Sequence, residues 1–122
     1  MELPTHNYFI WGPYLTKMKV EETLCEKLLN DGRELRTSHR NHLAGKIEKE
    51  FRYDNLKYYQ KQFQPYIDSW IHGWYRQLGT PVGVKGKLVS LWINFQRPGE
   101  HNPPHIHPGA DLSFALHLNF PK

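Results

Sequence analysis

Two histidines one residue apart, His105 and His107, stand in the stretch Asn102-Pro103-Pro104-His105-Ile106-His107-Pro108-Gly109. Side chains of an extended backbone alternate with period two, so both imidazoles would leave the chain on one side. Two neutral imidazoles on one face can reach a single ion, and imidazole suits Fe, Zn, Cu, Ni or Mn. The flanking Pro-Pro and Pro-Gly pairs stiffen the approach and lower the entropy lost when ligands are fixed. A non-haem Fe(II) site needs two His and one carboxylate, with positions left open for what reacts there. Asp111 is the candidate carboxylate, and His101 and His117 are alternatives. With eight histidines in the chain, a chance His-x-His is not rare. Histidines in a proline-rich loop often bond only to water and backbone. What adds weight is the order: strand, glycine, His-x-His, then an alternating strand, as in antiparallel barrels that carry metals on inward positions.

Those flanking strands are read from period. "KLVSLWINF" alternates from Leu88 to Phe95. "DLSFALHLNF" alternates again, with Leu112, Phe114, Leu116, Leu118 and Phe120 on one side. Upstream the period is helical. Val20, Leu24 and Leu28 predict a helix over about 17–31, with Gly32 closing it. Leu56, Tyr59, Phe63, Tyr66, Trp70, Trp74 and Leu78 predict a second helix over about 55–78, stopped by Gly79 and Pro81 and kinked or split by Pro65 near Gln64. "NYFIWGPYL" reads as a short strand or extended arm with a turn at Gly12-Pro13. Residues 33–55 are polar and weakly periodic, with "HLAG" as a small apolar island. Helices first and strands afterwards predict one α+β domain over 1–122, mainly helical over 1–80 and strand-bearing over 81–122.

A chain of 122 residues with 14% aromatics can bury a real core and is not composed like a disordered segment. The charge of +4 is mild and scattered, without a dense Lys/Arg block, which argues against nucleic acid as a partner. The single cysteine, Cys25, excludes an intrachain disulfide and a Cys-rich zinc site; among Leu24, Leu28 and Leu29 it reads as a small buried apolar residue. With no signal-peptide pattern and no long apolar run, a cytoplasmic protein off the membrane is expected. His6, His39, His42 and His72 have no metal-site context, and His72 falls off the apolar stripe. No nucleophile elbow appears, and "GTPVGVKG" lacks the Lys-Ser/Thr ending of a phosphate loop.

"LWINFQRPGEHNPPHIHPGADLSFALHLNFPK", with the upstream "HLAGKIEKEF", resembles the amino-terminal part of phage-encoded and related bacterial 2-oxoglutarate/Fe(II)-dependent oxygenases. Trp92 and Asn94, then Asn102, His105 and His107, then Leu112 and Ser113 carry the resemblance, which covers about residues 38–122. It implies a double-stranded β-helix (jelly-roll) core, Fe(II) and 2-oxoglutarate as cofactors, and oxidative hydroxylation of an unidentified substrate, in a host cytoplasm if the gene is a phage's. Asn94 and Asn102 are then candidates for orienting the metal ligands and cofactor. A second, weaker resemblance is to the first metal motif of cupins, with Gly99, His105 and His107 in place, Asp111 where glutamate is usual, and Leu118 where that motif has glycine. It favours Asp111 as the third ligand, whereas the oxygenase resemblance favours a distant His.

A jelly roll needs about eight strands, and this sequence offers three or four candidates. The oxygenases continue with strands bearing the distal His and a basic residue for 2-oxoglutarate. The expectation is therefore helices packed on an incomplete jelly-roll sheet, in a shortened member of the family that lacks the distal half of the site on which activity depends. Its last apolar strand would be an exposed edge through which copies could associate. The competing expectations are a non-catalytic binding or structural protein and a cupin-like metal binder.

Overall fold

A computed structural model describes residues 5–9, 14–39, 46–79, 83–105 and 107–119. Two compact units divide the chain: Met1–Glu22 with Lys57–Leu88, and Thr23–Leu56 with Val89–Lys122. The expected turn at Gly12-Pro13, the "HLAG" island and Pro81 lie outside the described residues.

In the first unit, strands β1 (Thr5–Phe9) and β2 (Tyr14–Met18) pair antiparallel, Thr5 opposite Met18 and Phe9 opposite Tyr14. The expected arm is thus a strand pair. Because β2 runs to Met18, the first helix starts later than its apolar spacing suggests, and Val20 is not in it. The long helix α2 spans Leu56–Leu78 and is not split at Pro65. Proline removes one backbone hydrogen bond; the apolar stripe continues on both sides of it and holds the helix together. Tyr59, Phe63 and Ile71 are buried from that stripe. Trp70 and Trp74 stack with centroids 5.6 Å apart, and Tyr14 meets both edge-on at 5.7 and 5.5 Å. Such pairs add about 0.5–1.5 kcal/mol each beyond simple burial. A Cβ at Gly73 would lie 2.7 Å from the Tyr14 hydroxyl oxygen, so the bare glycine lets that ring approach. Leu78 is exposed, Gly79 adopts φ +69° just beyond it, and His72 is exposed as its place off the stripe predicts.

Residues 83–88 lie along α2. Gln60 Nε2 donates to the Leu88 carbonyl at 2.7 Å, and Gln64 Nε2 donates to the Gly86 carbonyl at 2.8 Å. These side-chain bonds occupy backbone groups that a ladder would use. The strand expected from Leu88 accordingly begins only at Trp92.

In the second unit, α1 (Glu22–Glu34) precedes a small antiparallel sheet of β3 (Lys49–Arg52) and β4 (Trp92–Phe95). Lys49 faces Phe95, Glu50 faces Asn94, Phe51 faces Ile93 and Arg52 faces Trp92. A Ser38–Phe51 bridge, with His39 N–H on the Glu50 carbonyl and Arg52 N–H on the Thr37 carbonyl, both at 2.9 Å, puts 37–39 along the free edge of β3. Gly32, expected to follow the helix, lies inside it and is buried; a Cβ there would sit 2.7 Å from Ile93 Cδ1. Cys25 is half-buried.

Two helices and short antiparallel strands are what the described residues contain, and no jelly-roll sheet forms among them. Residues 112–119, read as a strand from their alternation, join no ladder among the described residues. Alternation fits a strand to a sheet, but the hydrogen bonds need a neighbouring strand. Leu112 and Phe114 are 36% and 49% exposed, and only Leu116 and Leu118 are half-buried. Among the described residues no helix is long and apolar enough to cross a membrane.

Candidate metal centre

Opposite residues of an antiparallel pair share a sheet face, and alternate residues along each strand do too. One face of the sheet therefore carries Arg52 and Trp92 in one row, and His39, Glu50 and Asn94 in the next. Glu50 is 2% exposed, a carboxylate buried between His39 and Asn94. The indole of Trp92 takes His39 on one side, with centroids 4.9 Å apart and planes 34° apart. It takes His107 at 6.1 Å and 33°. His107 in turn meets His105 edge-on, with centroids 4.7 Å apart. Trp92 thus links the sheet to the His-x-His loop.

Two turns hold that loop. Pro98-Gly99 and Pro108-Gly109 occupy the central positions of type II turns, whose second central residue needs positive φ. Gly99 has φ +84° and Gly109 has φ +81°. Glu100 N–H closes the first turn on the Arg97 carbonyl at 3.1 Å, and Ala110 N–H closes the second on the His107 carbonyl at 3.3 Å. The first turn is also pinned by charge. The Glu100 carboxylate accepts from Arg97 N–H at 2.7 Å and from Glu48 N–H at 2.9 Å, while the Arg97 guanidinium pairs with Glu48. Lys46 N–H then bonds the His101 carbonyl at 2.8 Å. The sequence before β3 thereby anchors the sequence leading to the histidines.

Within the loop, His105 Nδ1 lies 2.7 Å from the Pro103 carbonyl oxygen. A carbonyl can only accept, so Nδ1 carries the proton and Nε2 of the neutral ring keeps its lone pair. Metal-binding histidines are commonly oriented in this way by a backbone carbonyl. His105 is exposed and His107 half-buried. The other predicted residues stand apart. Asn94 is exposed beside Glu50, Asn102 is exposed on the loop, and Asp111 is exposed beyond the second turn. His101 and His117 are also exposed. No three His, Cys, Asp or Glu side chains gather as a metal-holding group among the described residues. His105 and His107 lie together, and Asp111 does not join them in a group of three.

His39 and Glu50 escaped the sequence reading. Both fall in the polar run before α2, where His39 has no neighbouring ligand pattern. The alternation of Glu50-Phe51-Arg52-Tyr53 was the available strand signal. Comparison of the chain with family models, curated proteins and solved structures found no match.

Proposed function

We propose that this chain binds a divalent transition metal through His105 and His107, as the metal-holding part of a 2-oxoglutarate/Fe(II) oxygenase-like protein of the cytoplasm. The observation that carries the reading is the approach of the two rings, 4.7 Å between centroids, with the tautomer of one set by Pro103. Fe(II) with 2-oxoglutarate would supply the oxidising chemistry for hydroxylation of a substrate. The chain's own part is to present Nε2 of His105 and the His107 ring, hold the loop by its two turns, and back His107 with Trp92. In this reading Asp111 is the carboxylate for the third position, and it would have to move to the imidazoles from where the structure holds it; Asn94 and Asn102 would orient ligands from the rim. A cavity of about 340 Å³ beside His39, lined by Arg52, Asp54 and Ser90 among others but by neither imidazole of the loop, offers room for a small acid away from the His105–His107 pair. That volume lies within the range of about 300–1,000 Å³ usual for small-molecule sites.

Anaerobic titration with Fe(II) or Co(II), followed by an assay for succinate from 2-oxoglutarate, tests the reading. Metal binding that is lost in His105→Ala and in His107→Ala supports it, and absence of binding in the native chain overturns it. A non-catalytic binding protein is the second reading, favoured by the exposure of Leu112 and Phe114 and by the separation of Asp111 from the imidazoles. Metal binding without succinate formation selects that alternative. A cupin-like binder would instead lose metal in Asp111→Ala and ignore 2-oxoglutarate. Self-association through residues 112–119 would show as a dimer in solution.

A further inference from the structure

The sheet face turned away from Trp92 borders a second cavity, of about 440 Å³. Three cations line it: Arg33 from the last turn of α1, Arg36 just beyond, and Lys49 at the start of β3. No carboxylate lines it among the described residues, and none forms an ion pair with any of the three. Among the described residues, the Arg36 guanidinium bonds just the Leu35 carbonyl next to it, at 2.9 Å. Three like charges around one hollow repel each other, and an anion placed there relieves all three. The floor has a different character. Phe51 and Phe95, diagonal neighbours on β3 and β4, lie half-buried with centroids 6.3 Å apart and planes 60° apart.

We propose that this cleft binds a mononucleotide, with its phosphate among Arg33, Arg36 and Lys49 and its base on the Phe51–Phe95 rings. Guanidinium groups match phosphate oxygens in paired hydrogen bonds, and any base can stack on an aromatic face. The volume suits one nucleotide and matches the usual size of small-ligand sites. The site is independent of the histidine loop, which lies on the other face of the sheet.

Calorimetric titration of the full chain with AMP tests the assignment, with adenosine, inorganic phosphate and benzoate as separate arms. AMP is expected to bind, more weakly as salt rises, and to exceed adenosine and phosphate by at least about tenfold each. The exposed double variant Arg33→Gln/Arg36→Gln should keep its circular dichroism and thermal midpoint and lose at least about tenfold in AMP affinity. Phe95→Leu should weaken AMP while leaving phosphate binding unchanged. Absence of AMP binding at millimolar concentration, adenosine or benzoate binding as tightly as AMP, or full affinity in the double variant would each overturn the proposal.

Discussion

Trp92 and His107 lie ring against ring, 6.1 Å between centroids with 33° between their planes. An ion held by His107 would sit close to that indole. Co(II) or Cu(II) should therefore quench part of the chain's tryptophan fluorescence. The quenchable part should vanish in Trp92→Phe and in His107→Ala, although the other tryptophans remain. Equal quenching in Trp92→Phe would place the metal elsewhere.

Glu100 acts at a distance from the imidazoles. Its carboxylate accepts two backbone N–H groups and so fixes where the loop leaves β4. Glu100→Ala leaves both donors to water at an exposed site, and the global cost should be about 1 kcal/mol. Metal affinity should fall several-fold, because the ligands lose part of their fixed geometry. A measured affinity equal to the native value, at unchanged thermal midpoint, would show that the loop is held by its prolines alone.

Alkaline pH should expose the role of Tyr53. Its phenol is 4% exposed and donates to the Leu28 carbonyl, and burial together with the Asp31 charge pushes its pKa well up from the usual value of about 10. The folded state then keeps a proton that the unfolded state loses. Below about pH 10 this contribution to stability is fully present. As pH rises further, the unfolded chain binds fewer protons and stability falls. Denaturant midpoints followed from pH 8.5 upward should decline less steeply in Tyr53→Phe, which should also lose about 1 kcal/mol at neutral pH for the missing phenol hydrogen bond, the Leu28 carbonyl keeping its place in the α1 ladder. Parallel profiles would remove Tyr53 from the account.

How far the sequence could be read depends on what each residue answers to. The stripe from Leu56 to Leu78 predicts α2 almost residue for residue, because a long helix makes its own hydrogen bonds and needs only one apolar face. The alternation of Leu112 to Phe120 is as regular, yet 112–119 join no ladder among the described residues, because a strand depends on a neighbouring strand. β3 was hidden because its buried side chain is Glu50, which breaks the apolar pattern. The imidazole pair was legible from spacing. The route from His39 through Trp92 to His107 was not, since it joins three distant segments through a sheet register.

Gly32 carries two opposed effects. Alanine in its place improves helix propensity by up to about 1 kcal/mol. Its Cβ would also meet Ile93 Cδ1 at 2.7 Å and the Tyr53 hydroxyl oxygen at 2.9 Å. Both atoms belong to buried residues, and moving the phenol disturbs its bond to Leu28. Overpacking of this kind costs about 1–3 kcal/mol, so Gly32→Ala should destabilise by about 1–2 kcal/mol net. A stabilised variant would mean that the side chains of β4 and Tyr53 yield freely.

The glutamine pair on α2 gives a local test. Gln60 and Gln64, one helical turn apart, hold the Leu88 and Gly86 carbonyls, and Leu88 is 5% exposed. A buried carbonyl stripped of its donor is the costlier loss, so Gln60→Ala should destabilise by about 1–2 kcal/mol and Gln64→Ala by less. Gln64 also bonds Asp68 at 2.8 Å, which makes the two losses partly different in kind. The close packing of Gly86, whose added Cβ would stand 2.8 Å from Ile67 Cγ2, depends on the same clamp. Amide exchange over residues 84–89 should accelerate in the double variant, while exchange in the centre of α2 should change little. Uniform acceleration through the helix would show that the glutamines support α2 as a whole.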